Sequence, residues 1–147
     1  MAAGLTLLPA NLDSFRTRLN DLARQTLHPD QFQPSLRLDA EVLLADVSLD
    51  CLAALDRLKP MGQGNPTIQF CARALSFQRP PQRMGADKQH LKMWVTDGRT
   101  THEAVWWGAK QAPIPDGSFD LAFVPQINDY NGRRIVQLKL LDWHPSQ

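Results

Sequence analysis

The sequence predicts an α+β chain that ends in a small five-stranded β-barrel, and three observations carry that prediction. Helical periodicity is confined to the first half of the chain. Beyond Pro66, short alternating apolar runs separated by turn residues replace it. Two of those runs are joined by Asp97-Gly98 and two by Asn131-Gly132, dipeptides that accept the positive φ angles of a type I′ hairpin.

In "NLDSFRTRLNDLARQ", residues 11–25, Leu12, Phe15, Leu19 and Leu22 recur at helical steps. Asn11 suits the cap, and Pro29 bars extension. "TLHPDQFQP" is a connector, and "SLRLDAEVLL" alternates Leu36, Leu38 and Ala40 with polar neighbours as a strand does. A second helix is predicted at about 48–58, capped by Ser48, with Asp50 at its positive end and Leu52, Leu55 and Leu58 as its buried stripe. Strands follow at about 68–77, 90–96, 101–107, 118–127 and 134–142, the second pairing with the third and the fourth with the fifth. Longer links, "QRPPQRMGADKQ" and "GAKQAPIPDG", join the rest. Five strands with two tight hairpins fit the five-stranded OB-fold, and on pattern alone an SH3-like barrel fits almost as well. The chain thus divides at about 1–34, a helix and connector; 35–66, a strand–helix bridge; and 67–147, the barrel.

Composition narrows the partners. The 147 residues are 43% apolar, enough for a core, and no run approaches the roughly 18 apolar residues of a membrane span. "MAAGLTLLPA" lacks the basic start of a signal peptide, so no membrane partner is expected. Cys51 and Cys71 are far apart, and with four scattered histidines they make neither a disulfide framework nor a zinc site; a reducing cytoplasm is the expected setting. Residues 1–65 carry six Lys/Arg against eight Asp/Glu, and residues 66–147 carry ten against seven. The resulting −2 and +3 permit a polyanion partner for the second half without requiring one.

The stretch "LDRLKPMGQGNPTIQF", residues 55–70, raises the question of a phosphate loop. Gly62-Gln63-Gly64 follows a helix and precedes a strand, and no lysine follows the second glycine. A phosphate loop needs the reverse order, so the stretch reads as a joint, with Pro60 and Gly62 ending the helix and Pro66 holding Asn65 extended.

These residues resemble the segment entering the C-terminal OB domain of the RecJ-type single-stranded-DNA-specific exonucleases. The likeness continues through "HLKMWV", "HEAVWWG" and "FDLAFVPQINDYNGRRIVQLKLLD", and "AAGLTL" with its helix is similar to the end of the DHHA1 domain. One departure is Thr67-Ile68, where the family often carries a second proline. The resemblance implies an OB module of a 5′–3′ single-stranded-DNA exonuclease acting in repair and recombination. Its implied partners are single-stranded DNA and the upstream DHH and DHHA1 catalytic domains, with a single-strand-binding protein as a candidate. The family cleaves with divalent manganese or magnesium held by Asp/His motifs including DHH. No Asp-His-His occurs here, so the resemblance implies a non-catalytic fragment without its own cofactor. No nucleophile–base pair or phosphate loop argues for an independent enzyme.

An OB barrel binds nucleic acid across its second and third strands, flanked by the loops between strands one and two and four and five. Alternation in "HLKMWVT" sends Leu91, Met93 and Val95 to the core and His90, Lys92, Trp94 and Thr96 outward. Lys92 beside Trp94 is a cation next to a stacking surface, the pair a single-strand groove uses. The first loop adds Arg79, Arg83 and Lys88, and the last adds Tyr130, Arg133 and Arg134. Trp94 also suits a barrel cover, Lys92 an ordinary solvated position, and Tyr130 a turn brace. Docking on the enzyme's own domains or another repair protein is therefore the alternative function. Trp106 and Trp107 point to opposite faces, so one belongs to the core, and His102 and Glu103 read as solvent-facing strand residues rather than an acid–base pair.

Overall fold

A computed structural model describes residues 4–32, 34–110, 112–130 and 132–146. The chain forms two compact units, Met1–Leu36 and Arg37–Gln147.

The first unit is built on α1 (Leu12–Thr26), with short 3₁₀ turns at Pro9–Asn11 and Pro29–Phe32. Asn11 precedes α1 but makes no side-chain cap: it already has helical φ and ψ, and its carbonyl instead accepts from Ser14 Oγ at 3.0 Å. Leu12, Leu19 and Leu22 are exposed, and no residue of α1 is buried.

In the second unit, the strand expected over 35–44 shrinks to β1 (Ala40–Glu41), parallel to the start of β2 (Phe70–Met84). Leu36 and Leu38 are exposed, because only Asp39–Val42 meet an edge offering hydrogen bonds. A 3₁₀ turn, Leu44–Asp46, follows, and then α2 (Leu49–Asp56), whose Ser48 cap accepts from Cys51 N at 3.1 Å. Replacing Ser48 with alanine is expected to lower stability by about 1 kcal/mol, read as an earlier urea midpoint. Leu52 is buried and Leu55 packs on the core, but Leu58 lies past the helix end and is 54% exposed.

The joint is tied by its own backbone. Gly62 and Asn65 exchange N–H···O bonds of 2.7 and 3.1 Å around Gln63 and Gly64, and Gly64 has φ +88°. The Asn65 amide donates to the carbonyls of Leu58 and Pro60. Two carbonyls beyond the helix end are thereby satisfied.

The barrel comprises β2, β3 (His90–Thr96), β4 (Thr101–Trp106), β5 (Phe119–Tyr130) and β6 (Arg133–Pro145). They run in the order β2-β3-β4-β6-β5, and β2 pairs again with β5 to close the ring. This five-stranded closure, with β6 inserted parallel to β4, is the OB-fold. Leu91, Met93 and Val95 fill the interior as alternation requires, with Phe119, Leu121, Phe123 and Leu138 opposite. Leu44 and Val47 join this core from the 3₁₀ segment, and Ala109 joins it beyond the far end of β4.

β2 is longer than its expected span of 68–77, because "QRPPQRM" continues as strand rather than loop. Two bulges on its β3 side, between Phe77 and Arg79 and between Arg79 and Gln82, absorb Pro80 and Pro81, which cannot donate to the ladder. A third, between Ala72 and Leu75, shifts the register of β2 before its last pairing with β5, Leu75 to Phe119. There Ala74 adopts φ +53°, and its N–H donates to Asp120 Oδ1 at 3.0 Å.

Both hairpins form where expected, but the first turn differs. Thr96 pairs with Thr101, so the loop has four residues, and Gly98 alone in it has positive φ. Asp97 Oδ1 accepts from Arg99 N and Thr100 N at 2.9 and 2.7 Å. A side chain that makes these bonds favours this wider turn over type I′, and they hold the carboxyl below its usual pKa. In the second hairpin Tyr130 pairs with Arg133 across a two-residue loop containing Gly132 at φ +71°. The Asn131 half of the expected turn lies outside the described residues.

Candidate nucleic-acid interface

Register places five side chains in one row across the whole barrel. Arg79 of β2 pairs with Trp94 of β3, Trp94 with Glu103 of β4, Glu103 with Gln137 of β6, and Gln137 with Gln126 of β5. Cross-strand partners point to the same side of a sheet, and the alternate positions Met93, Val95 and Leu138 fill the core. The row therefore lies on the outer wall, over the strands by which OB barrels hold nucleic acid.

The contacts along it are polar and continuous. The Arg79 guanidinium carbon sits 3.3 Å from the Trp94 ring centroid, and Lys92 Nζ lies 5.3 Å from the same centroid. Lys92 Nζ is 2.6 Å from Glu103 Oε2. Gln137 Nε2 donates to Glu103 Oε1 at 2.5 Å, and Gln126 Nε2 donates to Gln137 Oε1 at 2.7 Å. Gln137 is a buried polar residue, and these two bonds satisfy its side chain. Beside the row an open groove of about 500 Å³ is lined by Trp94, Thr101 and Glu103 together with Ala45, Val47, Ser48 and Ile135.

The predicted residues fall into three groups. Lys92 and Trp94 share the outer face, and Arg79 joins them from β2 rather than from a loop. Arg83 is also a β2 residue, not a loop one, and its guanidinium donates to the carbonyls of Lys110 and Ala112, pinning the β4–β5 link. Lys88 stands in the β2–β3 loop with φ +51°, beside Arg83 and Lys110 around a second groove of about 390 Å³. Arg133 and Arg134 are exposed at the start of β6. The side chain of Tyr130 lies outside the described residues.

Other residues take roles that sequence reasoning missed. His102 is not solvent-facing: it pairs with Val95, on the inner side, and its Nε2–H donates to the Leu44 carbonyl at 2.9 Å. Glu103 is largely enclosed between Lys92 and Gln137. Gln126 and Gln137 carry no signal as isolated amides; the β5–β6 register set by the two-residue loop is what pairs them. Trp106 packs against the core, whereas Trp107 is exposed and meets His90 edge-on at 4.7 Å.

Among the described residues, no three His, Cys, Asp or Glu side chains converge as metal ligands would, so this set does not fit a divalent cation. Nor is any described helix long and apolar enough to cross a membrane.

Comparison with known proteins agrees with this architecture. The chain is 30% identical over 143 residues to the single-stranded-DNA-specific exonuclease RecJ of Dickeya dadantii, covering 94% of this chain and 24% of that protein. It is 26% identical over 145 residues to RecJ of Bacillus subtilis, covering 97% and 18%. The chain thus spans about a quarter or less of the length of these curated relatives. RecJ from Thermus thermophilus, solved in complex with Mn²⁺, superposes with a TM-score of 0.74 at 18% identity, over 98% of this chain and 20% of that one. The family described as the RecJ OB domain matches residues 38–142. This match spans more than half of the chain, and with the barrel order it makes the chain a member of the RecJ OB-domain family.

Proposed function

We propose that this chain is the OB module of a RecJ-type exonuclease and that its β3–β4 wall guides a single DNA strand toward an active site elsewhere in the protein. The observation that supports this reading best is the Trp94 indole on the outer row with two cations within 5.3 Å of its ring centroid. An aromatic face stacks any base, and adjacent cations meet the phosphates, so the grip is independent of sequence. Arg79 has no acidic partner among the described residues and is the leading phosphate contact. Lys88 of the β2–β3 loop and Arg133 and Arg134 at the start of β6 extend the path, and Trp94 supplies the stacking surface. The divalent metal and the bond-breaking step belong, in this reading, to upstream domains.

Fluorescence anisotropy with a labelled oligonucleotide across a salt series tests it. Contact with about three phosphates gives log affinity against log salt a slope near −2. Arg79→Ala is expected to flatten that slope by about 0.7, and Trp94→Ala to weaken binding by about 1–3 kcal/mol. Binding that ignores salt, or that prefers duplex, refutes the proposal.

The internal engagement of Lys92 and Arg83 favours a second reading, a module that docks on the protein's own upstream domains. That reading expects no oligonucleotide binding by this chain, and Trp94→Ala harmful only in the full-length protein.

A further inference from the structure

We infer that Glu103 acts as an internal competitor for the bound strand, holding the Lys92 ammonium away from phosphate and keeping the grip weak and releasable. This rests on the DNA-guiding reading above.

The two partners of the ion pair are unequal. The Glu103 side chain is only 12% exposed and the Lys92 side chain 33%. Glu103 is also the anchored member, because its second oxygen accepts from Gln137, whose own oxygen accepts from Gln126. A carboxylate fixed by a chain of amides across β4, β6 and β5 stays in place. Lys92, on a flexible four-carbon stem with a third of its side chain in water, can leave.

A phosphate arriving beside Trp94 can engage Lys92 only by displacing a carboxylate already 2.6 Å from the ammonium. The carboxylate competes at the high effective concentration of a group in the same molecule. It also places a negative charge directly opposite Trp94 in the row, where it repels the incoming backbone. Arg79, stacked on the indole and without an acidic partner among the described residues, carries the contact instead. Weak cation contacts suit a guide along which a strand must keep moving.

The test compares oligonucleotide affinity and salt slope in wild-type protein and Glu103→Gln, with melting midpoints to confirm folding. Glutamine keeps the shape and can still accept from Gln137, but no longer neutralises Lys92. Affinity is expected to rise roughly three- to tenfold and the slope to steepen by about 0.7, one more phosphate engaged. Adding Lys92→Met to Glu103→Gln should return the slope to the wild-type value. Should the glutamine variant fail to fold, Glu103→Asp, one methylene shorter, should give a smaller gain in the same direction.

Unchanged or weaker binding in both Glu103 variants overturns the inference. If wild-type protein binds, Arg79→Ala weakens it and the Glu103 variants do nothing, only the competitor role is lost. If neither wild type nor variants bind, the DNA-guiding reading fails with it. Binding by Glu103→Gln where wild type shows none supports the competitor role in its strongest form.

Discussion

Phe119→Ala is expected to remove about 3–5 kcal/mol of unfolding free energy, a large share of the roughly 5–15 kcal/mol that holds a domain together. Phe119 opens β5, is fully buried, and lies 4.8 Å from the Phe77 ring. It sits on the seam where the sheet closes, paired with Leu75 on one side and Pro145 on the other. Strands hydrogen-bonded on both flanks cannot collapse into the space a phenyl ring leaves, so the cavity persists. Urea unfolding should show an earlier midpoint with an unchanged slope on denaturant, whereas Phe119→Leu should lose far less. A loss below about 1 kcal/mol for the alanine variant would mean that the seam can repack.

Asp120→Ala is expected to cost about 2–3 kcal/mol, because it strands a backbone donor and severs two further contacts at once. The Asp120 carboxylate accepts from Ala74 N at 3.0 Å and Ser146 Oγ at 2.6 Å, and lies 3.6 Å from Arg73 Nη1. Those bonds hold Ala74 at φ +53°, a conformation costing an L-residue about 1 kcal/mol or more. Ala74→Gly should accordingly stabilise the chain and soften the effect of losing Asp120. The Ser146 hydroxyl foremost, then the Ala74 amide and Arg73, lower the Asp120 pKa. A carboxylate with a folded pKa below its unfolded one stabilises fully above about pH 4. That stability disappears as pH falls through the lowered folded value. Asp97 acts in the same direction. Urea midpoints measured from pH 7 down to pH 2 should fall below pH 4, and Asp120→Asn should make that fall shallower.

The barrel was legible because its signals were local. Alternation in "HLKMWVT" sorted Leu91, Met93 and Val95 from Lys92 and Trp94 correctly. Asp97-Gly98 reads as a two-residue turn, but the Asp97 carboxylate bonds the backbone of its own loop and opens it to four residues. The added two residues shift the β3–β4 register by an even step, so every side chain keeps its face while its partner changes. A two-residue loop would have set Lys92 directly opposite Glu103; the observed one sets Trp94 there and leaves the ion pair diagonal. The run through Pro80 and Pro81 reads as a loop because proline removes a donor, and only the closing geometry shows bulges absorbing it. Burial of α1 and of the 35–44 strand could not be read from periodicity, which reports a stripe and not what covers it. Glu103 reads as solvent-facing in the sequence for a related reason: the anchors that enclose it come from β3 and β6, more than ten and thirty residues away.

The insertion of β6 between β4 and β5 has a consequence for how the chain comes off the ribosome. Until the residues through about 145 have emerged, β4 and β5 have no bridge between them and the cylinder stays an open ribbon. Nascent β2–β3–β4 must wait with an exposed edge until the barrel's fifth strand has been made, so ring closure is the late and slow step of assembly. During that interval a chaperone, or a neighbouring chain, competes for the unfilled slot.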